Sequence, residues 1–328
     1  MRLGPSHAPV RRQPYLLRER KRVHVSNDVF TPSRPAPGRT RFTTGPLPVL
    51  LASALWGTTG TAATYAPASA GALSIGAATM GFGGILLCLV AGRSALRVLR
   101  SAPVGLLLTG ALSIAVYPLA FYSSMALAGV AVGTVVTLGS APVFAAVVER
   151  VLDGVRLDGR WALAAAVTVG GGVLLITDGV QLGDAGGAVA GTLLGLLAGL
   201  SYAMYSWVAA RILRGGRHGS RAVMGAMFGS AALVLLPVFA WTGGPLLSTG
   251  VGVAVTAYLA VVPMGLAYVL FGAGLRHTPV RVATTLSLLE PVVAALLGVF
   301  VVGERLGAMA WLGMAGIGIG LVLVLTRR

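Results

Sequence analysis

From Leu47 to Thr326 the chain alternates long apolar runs with short polar breaks. Ten runs stand out: 47–65, 70–91, 103–121, 127–149, 160–177, 189–210, 222–241, 251–273, 280–302 and 308–326. A helix rising about 1.5 Å per residue crosses some 30 Å of hydrocarbon in roughly 20 residues, which is the length of each run. Helices are favoured over strands because lipid offers no partner to an unpaired backbone N–H or C=O. The pattern therefore predicts an all-α integral membrane protein with ten transmembrane helices. Composition agrees: 10% of the 328 residues are charged and 56% hydrophobic, against about 25% charged in a soluble domain.

Charge placement tests the count. Residues 1–45 hold ten of the 25 basic residues, along with Pro and Ser, and no apolar stretch long enough for a secretory signal. They read as a disordered basic cytosolic tail, although part of the tail could precede the true start. If it is cytosolic, every second loop is cytosolic too. Those loops carry Arg93, Arg97 and Arg100; then Arg150, Arg156 and Arg160; then Arg211, Arg214, Arg217 and Arg221; then Arg276 and Arg281. With Arg327 and Arg328 at the end, 24 of the 25 basic residues fall on one side, and Arg305 alone lies across. Cytoplasmic loops are enriched in Lys and Arg, so both termini are expected inside a cell (plasma) membrane. The arginines read as topogenic, and His218 and His277 as solvated loop residues. A net charge of +16 would suit nucleic acid, but that needs a solvated basic face, so no nucleic acid is expected.

The runs divide into two groups of five. TVVTLGSAPVFAAVV (134–148) aligns with ATTLSLLEPVVAALL (283–297), placing Pro142 on Pro291 and Ala145-Ala146 on Ala294-Ala295. Both stretches form the fourth run of a quintet. Because five is odd, the second quintet must enter the membrane in the opposite orientation. Inverted repeats of this kind are typical of secondary transporters, with the substrate path between the halves.

The motif LLEPVVAALLGVFVVGERL, the terminal helix MAWLGMAGIGIGLVLVL, APVFAAVV in the first half and ALWGTTGTA at 54–62 resemble the EamA family of the drug/metabolite transporter superfamily. The likeness covers about 47–326, as repeats over 47–177 and 189–326. It implies ten helices in two inverted five-helix repeats and the export of small metabolites or drug-like compounds by alternating access, with proton coupling as an option. The first half departs from the motif: Gly154-Val155 stands where the second half has Gly303-Glu304.

Glu290 is the residue out of place. It lies nine residues beyond Arg281, about 13.5 Å along a helix, and so near the bilayer midplane. A carboxylate facing lipid there is expensive, so Glu290 must face a wet cavity, be protonated, or have a partner. Three roles stay open: lining the path, carrying a proton, or bonding another helix. Pro291 takes the usual donor from the Ser287 carbonyl and predicts a kink; Pro142 and Pro291 are the hinge candidates. Trp56, Tyr117, Tyr202, Tyr205, Tyr258 and Tyr268 lie within spans, where their polar tips need partners. With Glu290 they are the substrate-path candidates, against ordinary packing. Trp56 and Tyr202 occupy similar places in the first helix of each half. Glu149 and Glu304 sit near span ends and read as interfacial, and Trp161, Trp241 and Trp311 read as belt anchors. Cys88 reads as a small buried hydrophobe. Gly191, Gly195 and Gly199, and Gly316 with Gly320, allow close helix packing. The GGG and GIGIG stretches lack the strand, helix and lysine of a nucleotide loop.

A secondary permease for a small molecule leads. Its partners are that substrate and membrane lipid, with a homodimer left open and no metal or cofactor expected. A facilitative uptake carrier is the near alternative. A membrane enzyme on lipid-linked substrates would need clustered acids or histidines, and a channel would need a pore between subunits.

Overall fold

The computed structural model describes Met1, Gly4 and residues 39–177, 185–303 and 305–326. The chain divides into residues 1–36 and 37–328. Residues 2, 3 and 5–38 of the basic tail and Glu304 lie outside the described residues, whereas the last seven tail residues, 39–45, are described and mostly helical.

Among the described residues every apolar run is helical. A short α1 (Arg39–Thr44) precedes α2 (Pro46–Ala63), α3 (Ala72–Ala91), α4 (Arg93–Ser101), α5 (Val104–Ala128), α6 (Val130–Leu152) and α7 (Gly159–Thr177). The second half runs through α8 (Ala185–Arg214), α9 (Ser220–Thr242), the single turn α10 (Gly244–Leu247), α11 (Gly250–Leu259), α12 (Ala267–Leu275), α13 (Val280–Leu286), α14 (Leu289–Leu297) and α15 (Ala308–Leu325). Eight of the ten segments are long and apolar enough to cross a membrane. Helix α7 contributes a shorter apolar stretch, Gly159–Leu175, and α2 is diluted by its Gly57–Thr61 stretch, GTTGT. The chain is a nearly all-helical, multi-pass membrane protein. Its flanks match a lipid surroundings: Leu108, Leu112, Leu193, Leu233 and Val322 are each more than half exposed, which a water-facing surface tolerates only in small patches.

The amphipathic α4 was not foreseen as a separate helix. It turns Ala95 and Val98 inward and leaves Arg93, Arg97 and Arg100 exposed, as a helix lying along a membrane surface would.

Packing follows the internal repeat. Helix α3 packs on α9, and α7 on α15, each pair joining equivalent members of the two quintets. Helix α8 packs on α5 and α6; with the halves exchanged, α2 packs on α11–α12 and α13–α14. Each of these contacts thus recurs with the halves swapped, as a two-fold relation between the quintets requires.

Close approach at these seams depends on glycine. A Cβ on Gly171 would lie 2.6 Å from the Gly313 carbonyl oxygen and from the Ile317 amide nitrogen, so α7 and α15 touch backbone to backbone. On α8, a Cβ at Gly191 would sit 2.6 Å from the Ala128 amide nitrogen, and one at Gly199 2.7 Å from the Thr137 oxygen. Without a hydrophobic drive between helices in lipid, such contact is a main source of adhesion.

Two spans are interrupted. Between α11 and α12, Ala260–Leu266 widens to a π-turn around Pro263. The ninth span bends at Ser287-Leu288, where α13 gives way to α14, and then widens again over Gly298–Val302. It stops at Gly303, whose φ of +82° places it in the left-handed region that glycine reaches without a Cβ clash. The kink expected at Pro291 is present, but the Ser287 carbonyl is not left bare. It accepts from the Glu290 amide at 2.9 Å, because the chain tightens by one residue before the proline. Pro142, by contrast, lies buried within an unbroken α6.

Candidate functional site

A central cavity of about 70 Å³ is bounded by residues of α2, α3, α5, α8, the Pro263 turn, α12 and, just past the bend, Glu290 of α14. Of the expected path residues, Trp56, Tyr117, Tyr202, Tyr205, Tyr268 and Glu290 all line it. Tyr258 does not. It lies about a third of the way into the eighth span, donates to the Thr58 hydroxyl at 2.9 Å, and borders a separate apolar groove with Tyr65 and Leu297. Thr59, Gly76, Thr79, Met80, Phe121, Tyr122, Pro263 and Met264 complete the wall. Tyr122 falls one residue beyond the apolar run 103–121, but the helix continues to Ala128 and brings it inside the span; the small and aliphatic residues carry no sequence signature.

The aromatic residues form one connected cluster. Trp56 and Tyr202, the first-helix residues of the two halves, meet edge to face at 6.4 Å and 87°. Trp56 also contacts Tyr268 at 5.0 Å and Phe271 at 5.1 Å. Tyr202 contacts Tyr205 at 5.3 Å and Tyr117 at 5.8 Å. The hydroxyls of Tyr205 and Tyr268 share a 2.9 Å hydrogen bond, which satisfies both tips in the buried centre. Trp56 Nε1 and the Tyr202 hydroxyl, the latter close to Ser287, are buried without a hydrogen bond of normal geometry to any described residue.

Glu290 is the one charged residue among those lining the cavity. Its carboxylate makes no hydrogen bond or ion pair with a described residue, and it lies within electrostatic reach of Tyr117, Tyr122, Tyr202 and Tyr268. Gly57 lets α2 approach α14 closely: a Cβ there would lie 2.8 Å from the Glu290 main-chain carbonyl oxygen. The carboxylate thus looks into a polar-tipped aromatic chamber and not at lipid, which relieves the penalty of its depth. Its repeat equivalent, Ala141, is fully buried.

A second cluster was misjudged from the sequence. Glu149 is not interfacial: it is 1% exposed. Its Oε2 accepts from Arg281 Nη1 at 2.6 Å, and its Oε1 from the Val280 amide at 2.7 Å. Arg281, taken as a topogenic loop arginine, is buried in this pair. Trp161, taken as a belt anchor, is 6% exposed and places its ring 5.9 Å from the Arg281 guanidinium, a cation–π contact. Trp241 and Trp311 are exposed, as belt residues should be. Arg214 stands 3.9 Å from Glu149. Arg281 Nε is buried without a partner, so the pair is not fully compensated for its loss of water.

This cluster ties the end of the fourth span to the start of the ninth, its repeat mate. Between it and Glu290 every residue of α13 is buried, whereas in α14 only Pro291 is. Helix α13 is therefore packed over its whole length on the Arg281 side of the cavity.

These features define a polytopic helical protein built from two related halves around a central chamber. Comparison with known proteins places it. The EamA-like transporter family matches residues 43–177 and again 189–326, once for each half, and the chain belongs to that family. An uncharacterized transporter of Bacillus subtilis (strain 168), YwfM, is 33% identical over 276 residues, covering 84% of this chain and 92% of the relative. An uncharacterized transporter of Archaeoglobus fulgidus is 29% identical over 53% of this chain and 59% of its own length. A crystal structure of a protein superposes with a TM-score of 0.71 at 23% identity, covering 84% of this chain and 94% of the other, which shows a shared fold. The chain is a membrane transporter.

Proposed function

We propose that the protein is a secondary permease that exports a small metabolite or drug-like compound across the plasma membrane by alternating access, with both termini in the cytoplasm. The observation that carries this reading is the central chamber between the two quintets, with a carboxylate and aromatic side chains on its wall and the fully buried α13 at one end. A chamber closed on one side is what a carrier presents in one half of its cycle. With the termini inside, the end of the fourth span and the start of the ninth are cytoplasmic. The Glu149–Arg281 pair then closes the cytoplasmic gate. Pro291 and the Pro263 turn supply the flexible points about which span halves rock; Pro142, inside a continuous α6, has no matching interruption. Glu290 serves the path and, in a proton-coupled cycle, carries the proton.

Metabolite profiles of cells with and without the gene, followed by flux of the differing compounds into proteoliposomes, test the reading. Wild-type protein should move at least one such compound, and Glu290→Gln should slow it. Identical profiles and no flux would remove the permease reading.

A further inference from the structure

We propose that the solute recognised by the chamber is a small organic monocation, an ammonium that also carries one hydrogen-bond acceptor. This rests on the permease reading for its biological setting, but it concerns what the chamber binds.

Four observations converge. First, the sole formal charge on the wall is the Glu290 carboxylate, with no described cation against it. In a low-dielectric chamber an anionic solute would be repelled and a cation drawn in. Second, half of the wall residues are aromatic, with Trp56 against Tyr268 and Tyr202, and Tyr117 against Tyr202. Aromatic faces attract ammonium groups, most strongly where water is excluded. Third, Trp56 Nε1 can only donate and has no acceptor among the described residues. A buried orphan donor of this kind calls for an acceptor from the ligand. Fourth, the cavity of about 70 Å³ holds roughly five waters, which is space for a solute of about seven non-hydrogen atoms. A zwitterion fits less well, because its carboxylate would find no cation on the wall.

Choline serves as probe, with its neutral carbon isostere 3,3-dimethylbutan-1-ol and its zwitterionic relative betaine as comparisons. Binding is measured by tryptophan fluorescence and calorimetry on the full-length protein in detergent. The expected result is choline binding at least tenfold tighter than the isostere and tighter than betaine. That preference should collapse in Glu290→Gln, persist in Glu290→Asp, and shrink several-fold in Trp56→Leu. The preference is a ratio of affinities measured on one sample, so partial misfolding of a variant does not move it. An isostere or betaine that binds as tightly as choline, a preference that survives Glu290→Gln, or no choline binding would each overturn the proposal. Choline bound through Glu290 but never moved in proteoliposomes would uphold the site and remove the permease reading. Flux of other compounds without choline selectivity would do the reverse.

Discussion

Glu149→Gln should unlatch the packed end of the molecule. The substitution keeps an oxygen to accept from the Val280 amide, as Glu149 Oε1 does at 2.7 Å. It removes the charge that Arg281 meets at 2.6 Å. Arg281, buried and with Nε already unpartnered, then becomes an uncompensated buried cation beside Arg214. Deleting one member of a buried pair costs about 3–5 kcal/mol. When this end opens, both groups regain water, so nearly all of that cost falls on the closed form. At about 1.4 kcal/mol per tenfold, the closed-to-open ratio should drop by roughly 10² to several times 10³. A minor open state of about 0.1–10% would then become a substantial or dominant population. Spin labels at Arg150→Cys and Arg276→Cys, both exposed, in a Cys88→Ser background would report the distance across this end. The long-distance population should grow in Glu149→Gln and recede in Glu149→Gln/Arg281→Gln, which leaves no buried charge. An unchanged distribution in the single variant would refute the latch.

Glu290→Gln should lower flux in proteoliposomes by at least tenfold, whereas Glu304→Gln, at the end of its span, should stay within twofold of wild type. Flux should respond to an imposed pH gradient if Glu290 carries a proton; indifference would favour facilitated diffusion. Gly171→Leu should force α7 from α15 and destabilise the fold by about 1–3 kcal/mol, seen as a lower thermal midpoint in detergent, while Gly105→Ala, with open space around it, should be neutral. Tyr205→Phe should leave the Tyr268 hydroxyl without its 2.9 Å partner, at about 1–3 kcal/mol, again read as a lower midpoint.

The helices were legible because a bilayer allows few solutions. A run of about 20 apolar residues favours a helix; the ten runs are helical among the described residues, and eight of them lie in helices long and apolar enough to cross. The midplane carboxylate and the deep tyrosines were legible for the same reason: each violates the solvent around it, and so they share a chamber. Glu149 was not legible. Near a span end a carboxylate can reach water, and nothing local shows that its partner lies 132 residues away. Trp161 misled in the same way, since a tryptophan at a span end looks the same whether it meets headgroups or a buried arginine. Tyr258 lies within its span by sequence but points to a groove beside Thr58, because depth alone does not fix which way a side chain faces. The wider turn at Pro263 did carry a signal, a proline inside an apolar run, as did Pro118 and Pro237 in helices that stay continuous. Proline alone does not separate the two outcomes.

The central claim, that the chamber beside Glu290 is reached in turn from the two sides of the membrane, is tested most directly with one cysteine. Thr59→Cys, on the chamber wall, in a Cys88→Ser background should react with a membrane-impermeant thiol reagent applied from either face of oriented vesicles, and the reaction should stop flux. A thiol at that position reached from one face alone under every substrate condition, or one whose modification leaves flux intact, would contradict the account.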